Sequence, residues 1–300
     1  MKGTWVNRLF GAGLLTLAFM AQADVLPLQT PLLKFGFYLP TIREANMADI
    51  KVSLQVWAEE LAGTLGYRIV TTTYQNMAEV RAAADRGELH FVNAGGMELA
   101  EAFTSGELQR GYASHQQGAE EGLALVVRSD SGLATFADLR NKRVTRLAKD
   151  RLAEIFLETQ CLKAAKQRCR QFLALSEEKR DIQSVYGVFF GKADAALVTL
   201  ATLHTAIELN PQVGSRLKII QDWRTTALVF GMMTRDADPS VINLMMGSVR
   251  DTLKTPRGRQ MMELFKTDYV DPVEPSALNP YRALLQEYRS LEKSYGGQKK

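Results

Sequence analysis

A cluster of basic residues is the clearest candidate for ligand chemistry in this sequence of 300 residues. Arg146, Lys149 and Arg151 lie close together, with Asp150 between two of them. A guanidinium group can bind a carboxylate or a phosphate through two parallel hydrogen bonds, so the cluster predicts an anion-binding turn. The same residues are equally typical of a solvated helix start, where Asp150 neutralises part of the charge.

A pair of glycines, Gly95 and Gly96, separates a predicted strand from a predicted helix. Free backbone N–H groups and the positive end of the helix dipole at such a position can hold an anion. The alternative is a tight turn with no ligand. Tyr38 and Tyr186 could stack on a ligand or form hydrogen bonds with it, and each is equally typical of packing.

Motifs for catalysis and for cofactor binding are missing from the sequence. It has no G-x-S-x-G, no H-E-x-x-H, no P-loop and no G-x-G-x-x-G with a partner acid. Glu120 and Glu121 are adjacent, and a strand would turn them to opposite faces, which makes them poor acid–base partners. We therefore expect a protein that is not an enzyme, with no catalytic residue, no cofactor and no metal.

The only two cysteines of the chain are Cys161 and Cys169. In an oxidising compartment such a pair is usually a disulfide. Two free buried thiols are the alternative, and a metal site would need more ligands than the scattered histidines supply. We predict a Cys161–Cys169 disulfide.

The first residues have the order of a secretory signal: a basic start, an uncharged apolar run over 9–20, and small residues at Ala21 and Ala23. The apolar run is well short of the roughly 20 residues that span a bilayer. An uncleaved anchor or a buried helix are the alternatives. The pattern predicts a signal peptide over 1–23, a mature chain from Asp24 and a free periplasmic protein.

The charge balance argues against a nucleic-acid partner. The chain has 37 Lys and Arg against 33 Asp and Glu, a formal net charge of +4. A nucleic-acid binder needs a concentrated basic surface that displaces counterions from phosphates. With 46% hydrophobic residues, the length suffices for one large or two moderate domains.

Strands and helices alternate along the chain. Apolar residues at spacings of three and four predict a helix over 49–65, which Gly66 ends. Strand-helix-strand order with short connections predicts a largely parallel sheet covered on both faces. The alternation begins again after an apolar strand at 122–128, and another apolar strand at 227–234 follows the second unit. We predict two α/β units joined by strands rather than by a flexible linker.

In open parallel sheets the binding crevice lies beyond the carboxyl ends of the strands. Together with the candidate tyrosine at 186, this rule predicts the following ligand-binding residues: Tyr38, Asn93, Ala94, Gly95, Gly96, Thr145, Arg146, Tyr186 and Thr199. Trp223 precedes the second apolar strand and is either a wall of the cleft or a core residue.

Four segments resemble the phosphonate-binding family of periplasmic solute-binding proteins. They are residues 35–40 (FGFYLP), 86–95 (RGELHFVNAG), 136–144 (FADLRNKRV) and 188–196 (VFFGKADAA). Their order and spacing carry the resemblance, which runs over residues 33–281. It implies an α/β fold of the type 2 periplasmic-binding class, with two lobes and two hinge strands.

Three departures from the family pattern stand out. His90 replaces the usual acid, and Asn141 replaces the usual glycine. The Ser/Thr-rich turn of phosphonate binders is replaced at residues 145–151 by TRLAKDR. These departures do not change the predicted fold. They argue against a phosphonate, the ligand that the family name suggests.

The resemblance also implies a domain arrangement. Residues 24–121 and 235–300 would form lobe one, residues 128–224 lobe two, and residues 122–127 and 227–233 the hinge crossings. The tail at residues 281–293 has apolar and charged residues at helical spacing, which predicts a helix packed on lobe one or a docking helix for a partner.

The function implied is capture of a small, anionic ligand between two lobes for an ABC-type importer. The alternative is ligand sensing for a membrane sensor kinase or cyclase. The partners expected are a small-molecule ligand and either a membrane permease or a membrane signalling protein, with the chain itself a monomer.

Overall fold

The computed structural model describes residues 31–41, 47–116 and 120–295. The predicted signal peptide over 1–23 and its cleavage site lie outside the described residues. Within these ranges, no helix combines the length and the apolar character needed to cross a membrane.

Eleven strands form two separate sheets in the described part of the chain. The strands are β1 (Leu32–Tyr38), β2 (Arg68–Tyr74), β3 (Phe91–Gly95), β4 (Leu108–His115), β5 (Gly122–Arg128), β6 (Arg143–Leu147), β7 (Ala174–Glu178), β8 (Ala195–Thr199), β9 (Leu217–Arg224), β10 (Val229–Thr234) and β11 (Tyr269–Val273). The order in the six-stranded sheet is β11-β4-β10-β3-β1-β2, and in the five-stranded sheet it is β7-β6-β8-β5-β9. We call the six-stranded sheet with its covering helices lobe one and the five-stranded sheet with its helices lobe two.

Both sheets are mixed, which corrects the prediction of a largely parallel sheet. Strand β1 pairs in parallel with β2 and β3, whereas β10 is antiparallel to β3 and β4. In lobe two, β6 is parallel to β7 and β8, whereas β5 is antiparallel to β8 and β9. Parallel strands arise where a helix returns the chain to the same edge, and the antiparallel strands are those next to the passages between the lobes.

The helices cover both faces of each sheet. They are α1 (Met47–Leu65), α2 (Met77–Asp85), α3 (Gly96–Ala102), α4 (Arg151–Ala165), α5 (Cys169–Phe172), α6 (Asp181–Phe189), α7 (Leu200–Leu209), α8 (Pro211–Arg216), α9 (Pro239–Thr252), α10 (Pro256–Leu264) and α11 (Asn279–Tyr295). Short 3-10 turns lie at Leu39–Thr41, Phe136–Leu139 and Pro275–Leu278.

Alternation along the strands decides which core each side chain enters. In β5, Leu123 and Leu125 pack towards α4, whereas Ala124 and Val126 pack towards α6 and α7. In lobe one, Phe35 and Phe37 of β1 pack with α1, α9 and α10. A strand with both faces covered must be apolar on both, which is why β5 reads as one continuous apolar run.

The chain passes between the lobes before β5 and again between β9 and β10. The predicted hinge crossings, residues 122–127 and 227–233, correspond to β5 and β10, which are inner strands of the two sheets. The two passages run side by side, because the amide of Thr225 donates to the carbonyl oxygen of Glu121 at 3.0 Å.

Helix α11 contacts α3 of lobe one and α4 of lobe two. Lys163 and Glu287 form an ion pair at 2.9 Å, and Arg168 pairs with Glu292. The tail helix therefore lies against both lobes, in addition to the expected contact with lobe one.

Two local features of lobe two follow directly from residue chemistry. Cys161 and Cys169 form a disulfide with Cα atoms 5.3 Å apart, as predicted, and it joins α4 to α5. Asn141 has φ = 59°, in the left-handed region that glycine and asparagine tolerate best. Asparagine can therefore stand at this turn where the family usually has glycine.

Candidate functional site

The carboxyl ends of the parallel strands of both lobes open into one cavity of about 550 Å³. Lobe one contributes the turn after β1 and the β3–α3 junction. Lobe two contributes the turns after β6, β7 and β8. This is the crevice that the topology of open α/β sheets predicts.

Lobe two lines the cavity with charged and hydroxyl side chains. Lys149 and Asp150 follow β6, Lys179 and Asp181 follow β7, and Thr199 ends β8. Both carboxylates also serve the fold: Asp150 caps α4 by accepting from the amide of Ala153 at 3.0 Å. Asp181 accepts from the amide of Thr199 at 2.9 Å and from its hydroxyl at 3.0 Å.

Lys149 has an unusual backbone conformation, with φ = 58°. A non-glycine residue in this region is uncommon, and the conformation is moderately unfavourable. The turn places Lys149, an exposed residue, on the wall of the cavity.

Lobe one lines the cavity with residues of several strands. Thr41 follows β1, while Asn93, Gly95 and Gly96 lie at the end of β3 and the start of α3. The side-chain amide of Asn93 donates to the carbonyl oxygen of Phe230 at 3.3 Å. Its Oδ1 atom is buried and has no hydrogen-bond partner among the described residues.

The backbone amides of the glycine pair are already used inside the protein. Gly95 donates to Oγ1 of Thr41 at 3.0 Å, and Gly96 donates to the carbonyl oxygen of Leu228 at 2.9 Å. Side chains are also excluded, because a Cβ on Gly95 would collide with Glu98 and one on Gly96 would collide with the Tyr281 ring. In this conformation the pair allows close packing and leaves neither amide free for an anion.

Of the predicted ligand-binding residues, Asn93, Gly95, Gly96 and Thr199 line the cavity. The others lie elsewhere. Ala94 is fully buried in the sheet. Tyr38 packs beside the core on the α2 face of lobe one, where burial and the Glu98 carboxylate raise its pKa.

Three residues predicted from lobe two also lie away from the cavity wall. Thr145 is buried within β6, and its hydroxyl has no partner in the described part of the chain. Arg146 pairs with Glu177 of the neighbouring strand at 2.6 Å. Tyr186 packs with other aromatic rings of α6 and its end.

The displacement has a simple cause. The strand-end rule placed Thr145 and Arg146 in the crevice, whereas β6 continues to Leu147 and the cavity begins with that residue. The lining turn is therefore Leu147 to Asp150. Sequence analysis missed Lys179 and Asp181, because they follow the true end of β7 at Glu178, which the sequence pattern did not locate.

The passage between the lobes adds a partly buried carboxyl group, that of Glu121, to the cavity wall. Burial raises the pKa of Glu121 from its ordinary value of 4.5 to about 7. At neutral pH a substantial fraction of this group is therefore protonated. Its neighbour Tyr281 also has a raised pKa, chiefly because it is buried.

The lobes touch outside the cavity as well. Arg151 at the start of α4 binds Glu101 of α3 through two hydrogen bonds of 2.9 and 2.6 Å. Tyr281 packs edge-on against Trp223 with ring centroids 5.1 Å apart, and its hydroxyl donates to the carbonyl oxygen of Ala227. Trp223, predicted as a cleft wall or a core residue, is half-buried beside this contact and is not in the cavity wall.

No group of metal-ligating side chains is found in the described ranges. Lysine and aspartate side chains line the cavity from the segments after β6 and β7 of lobe two, and Glu98 and Lys266 line it from lobe one. The arrangement suits binding of a small molecule between the lobes.

A family model matches residues 42–278 of the chain. Its description is ABC transporter, phosphonate, periplasmic substrate-binding protein. No curated protein matches the sequence at a significant level.

Solved structures of low sequence identity share the fold. XAC2383 from Xanthomonas citri, solved with chloride or with ATP, aligns at 12% identity and a TM-score of 0.66, over 88% of this chain and 99% of its own. A binding protein component of an ABC phosphonate transporter from Pseudomonas aeruginosa (PA3383) aligns at 11% identity and a TM-score of 0.59, over 90% of each chain. PhnD1 from Prochlorococcus marinus, in complex with methylphosphonate, aligns at 15% identity and a TM-score of 0.57, over 87% of this chain and 98% of its own.

Proposed function

We propose that this chain, which belongs to the family of periplasmic substrate-binding proteins of ABC phosphonate transporters, captures a small anionic ligand between its two lobes. Members of this family bind small molecules and deliver them to a membrane permease, and they are not enzymes. The observation that carries the proposal is the cavity of about 550 Å³ lined by strand ends of both lobes.

The balance of charge in the cavity supports an anion. Lys149 and Lys179 of lobe two are exposed and line the cavity. Of the four carboxyl groups in the wall, Asp150 and Asp181 are held in place by hydrogen bonds from Ala153 and Thr199, and burial raises the pKa of Glu121 to about 7. The fourth is Glu98 of lobe one. Lys266 of lobe one also lines the cavity, so three ammonium groups in all can contact an anionic ligand.

A panel of simple anions tests this proposal. The purified mature protein is titrated by calorimetry with methylphosphonate, inorganic phosphate, methanesulfonate and acetate. We expect at least one to bind, and Lys149→Ala or Lys179→Ala to weaken that anion by roughly 10- to 150-fold, the range for a hydrogen bond to a charged group. Lys142→Ala, an exposed lysine of lobe two outside the cavity wall, is the matched control. Failure of every anion to bind, or equal affinities for all variants, would contradict the proposal.

Capture between two lobes also implies a closing motion, because neither lobe alone supplies the whole site. We propose that the adjacent passages before β5 and before β10 absorb this motion, so that β5 moves with lobe two and β10 with lobe one. Small-angle scattering should show a smaller radius of gyration with saturating ligand. An unchanged radius would argue for a preformed pocket.

Export is part of the same proposal. Removal of the predicted signal peptide after Ala23 would release the chain into the periplasm as a monomer. Intact-mass analysis of periplasmic material should give a chain that begins at Asp24, and a mass that retains residues 1–23 would contradict cleavage.

A further inference from the structure

The cavity continues from the cleft into the interior of lobe one. We call this inner part the apolar chamber. Six residues line it: Phe37, Trp57, Phe91, Met245, Val249 and Phe265. These residues belong to the core between the six-stranded sheet and α1, α9 and α10. The charged residues of the cavity wall come from strand ends, interlobe passages and turns, and none belongs to the chamber.

We propose that the apolar chamber takes the uncharged hydrocarbon part of an amphiphilic anion whose charged head lies in the cleft. This inference rests on the proposed capture of an anion between the lobes and names the class of molecule captured. A phosphonate, sulfonate or carboxylate carried on an alkyl or aryl body has this chemistry.

The sheet itself shapes the entrance to the chamber. Asn93 of β3, Gly231 of β10 and Tyr112 of β4 lie side by side in register, and all three line the cavity. The middle position has no side chain, and a Cβ there would collide with the ring of Phe91. Glycine at 231 therefore makes room for the Phe91 ring, which lies over β10 beside the point where the cleft meets the chamber.

Two buried polar atoms without partners lie along this route. Oδ1 of Asn93 and Nε1 of Trp57 are buried, line or belong to residues of the cavity wall, and have no hydrogen-bond partner among the described residues. Buried polar atoms in proteins almost always have a partner. Because both atoms are buried, a ligand would reach them only after neighbouring side chains move, and the chamber is therefore assigned only the apolar part of the ligand.

The cavity reaches side chains that otherwise belong to the core of lobe one. Protein interiors are packed so closely that voids larger than a water molecule are few. Here an open cavity reaches residues that are otherwise core, such as Met245 at 1% and Val249 at 5% exposure. A row of apolar side chains around an open volume is typical of a site that holds an apolar group.

A chain-length series tests the chamber. Methyl-, butyl- and octylphosphonate are titrated against the wild type, Val249→Phe and Leu244→Phe. Val249 lines the chamber, whereas Leu244 lies on the same helix, is 39% exposed and is not in the wall, so it is the matched control. In the wild type and the control we expect Kd to fall about fourfold per added methylene group until the chamber is full. In Val249→Phe this gain should disappear while methylphosphonate affinity stays the same.

An uncharged probe separates the chamber from the head group. N-phenyl-1-naphthylamine brightens in apolar surroundings and should bind the wild type and Leu244→Phe but not Val249→Phe. If the probe binds in this pattern and no phosphonate binds, the result supports an apolar binding chamber and contradicts the proposed anion capture. If methylphosphonate binds, but the probe does not bind and longer alkyl chains do not increase the affinity, the apolar chamber is refuted and the proposed anion capture is supported. Leu253→Phe, also in the wall, replaces Val249→Phe if that variant does not fold.

Discussion

The wall that lobe two gives to the cleft carries charged and hydroxyl side chains, whereas the wall of lobe one leads into an apolar chamber. On the lobe-two side, Asp150 and Asp181 are held by backbone amides and a hydroxyl, so the positions of the charges are set by hydrogen bonds. On the lobe-one side, aromatic and aliphatic side chains surround open volume.

The difference assigns different roles to the two walls. A charged wall distinguishes ligands by charge and hydrogen-bonding geometry, and an apolar wall distinguishes them by size and shape. A ligand that satisfies both must have two chemically different ends. The contact between the lobes is a third part of the site, because its packing sets the relative positions of the two walls that bind the two ends of the ligand.

The largest effect is expected at that interface, from Tyr281→Ala. Tyr281 is fully buried, packs against Gly96 of lobe one and Trp223 of lobe two, and donates to Ala227. Loss of the ring should lower the free energy of unfolding by about 3–5 kcal/mol. Urea denaturation measures this. Tyr281→Phe keeps the ring, loses only the hydroxyl, and should lose about 1 kcal/mol. Equal losses for the two variants would mean that the hydrogen bond, not the packing, joins the walls.

The next effect concerns the polar wall. Asp181→Ala removes the carboxylate that accepts from the amide and hydroxyl of Thr199. The buried donors would then lack this partner, and we expect a loss of about 1–3 kcal/mol in thermal or urea unfolding. Asp130→Ala is the control, because Asp130 is exposed and pairs only with Arg128 at the surface. A loss no larger than that of the control would show that Asp181 is not needed to build the wall.

A pH-dependent effect is expected from Glu121. Because the folded-state pKa of Glu121 is raised from 4.5 to about 7, the folded protein holds this proton more tightly than the unfolded chain. Its contribution to stability is complete below about pH 4.5 and is lost as the pH rises through about 7. Glu121→Gln should therefore gain stability relative to wild type on going from pH 5 to pH 8. Urea unfolding at both pH values checks this, with Glu120→Gln as the matched change at the exposed neighbour. Parallel pH profiles for wild type and Glu121→Gln would rule out the assignment.

The smallest effect is expected from Arg151→Ala, which breaks the contact between α4 and Glu101 across the lobes. Partly exposed ion pairs contribute little, so stability should change by less than about 1 kcal/mol. The informative measurement is small-angle scattering, in which loss of an interlobe contact should increase the radius of gyration. Arg143→Ala breaks a similar pair with Asp194 inside lobe two and should leave the radius unchanged. If both variants behave alike, the Arg151 contact does not hold the walls together.

Much of the fold could be predicted because its signals are local. The helix over 49–65 and its end at Gly66 match α1 closely, and Asn76 caps α2 by accepting from the amide of Ala78 at 2.8 Å. The disulfide follows from two cysteines in a chain with a secretory start. Missed strands had weaker local signals: β4 contains glycine and polar residues, and β11 contains Pro272, which an edge strand tolerates.

The sequence by itself determined the two α/β units and the strands between them. It also indicated that a ligand would bind at the strand ends. Tertiary structure alone decided which residues face the cavity. Side chains alternate along a strand, so an error of one residue in its end exchanges a residue of the cavity wall for one that faces elsewhere. Leu147 lines the cavity, whereas Arg146 pairs with Glu177. The apolar chamber was also beyond sequence reasoning. Its residues have the same types and spacing as ordinary core, and only the packing of α1, α9 and α10 on the sheet leaves open space between them.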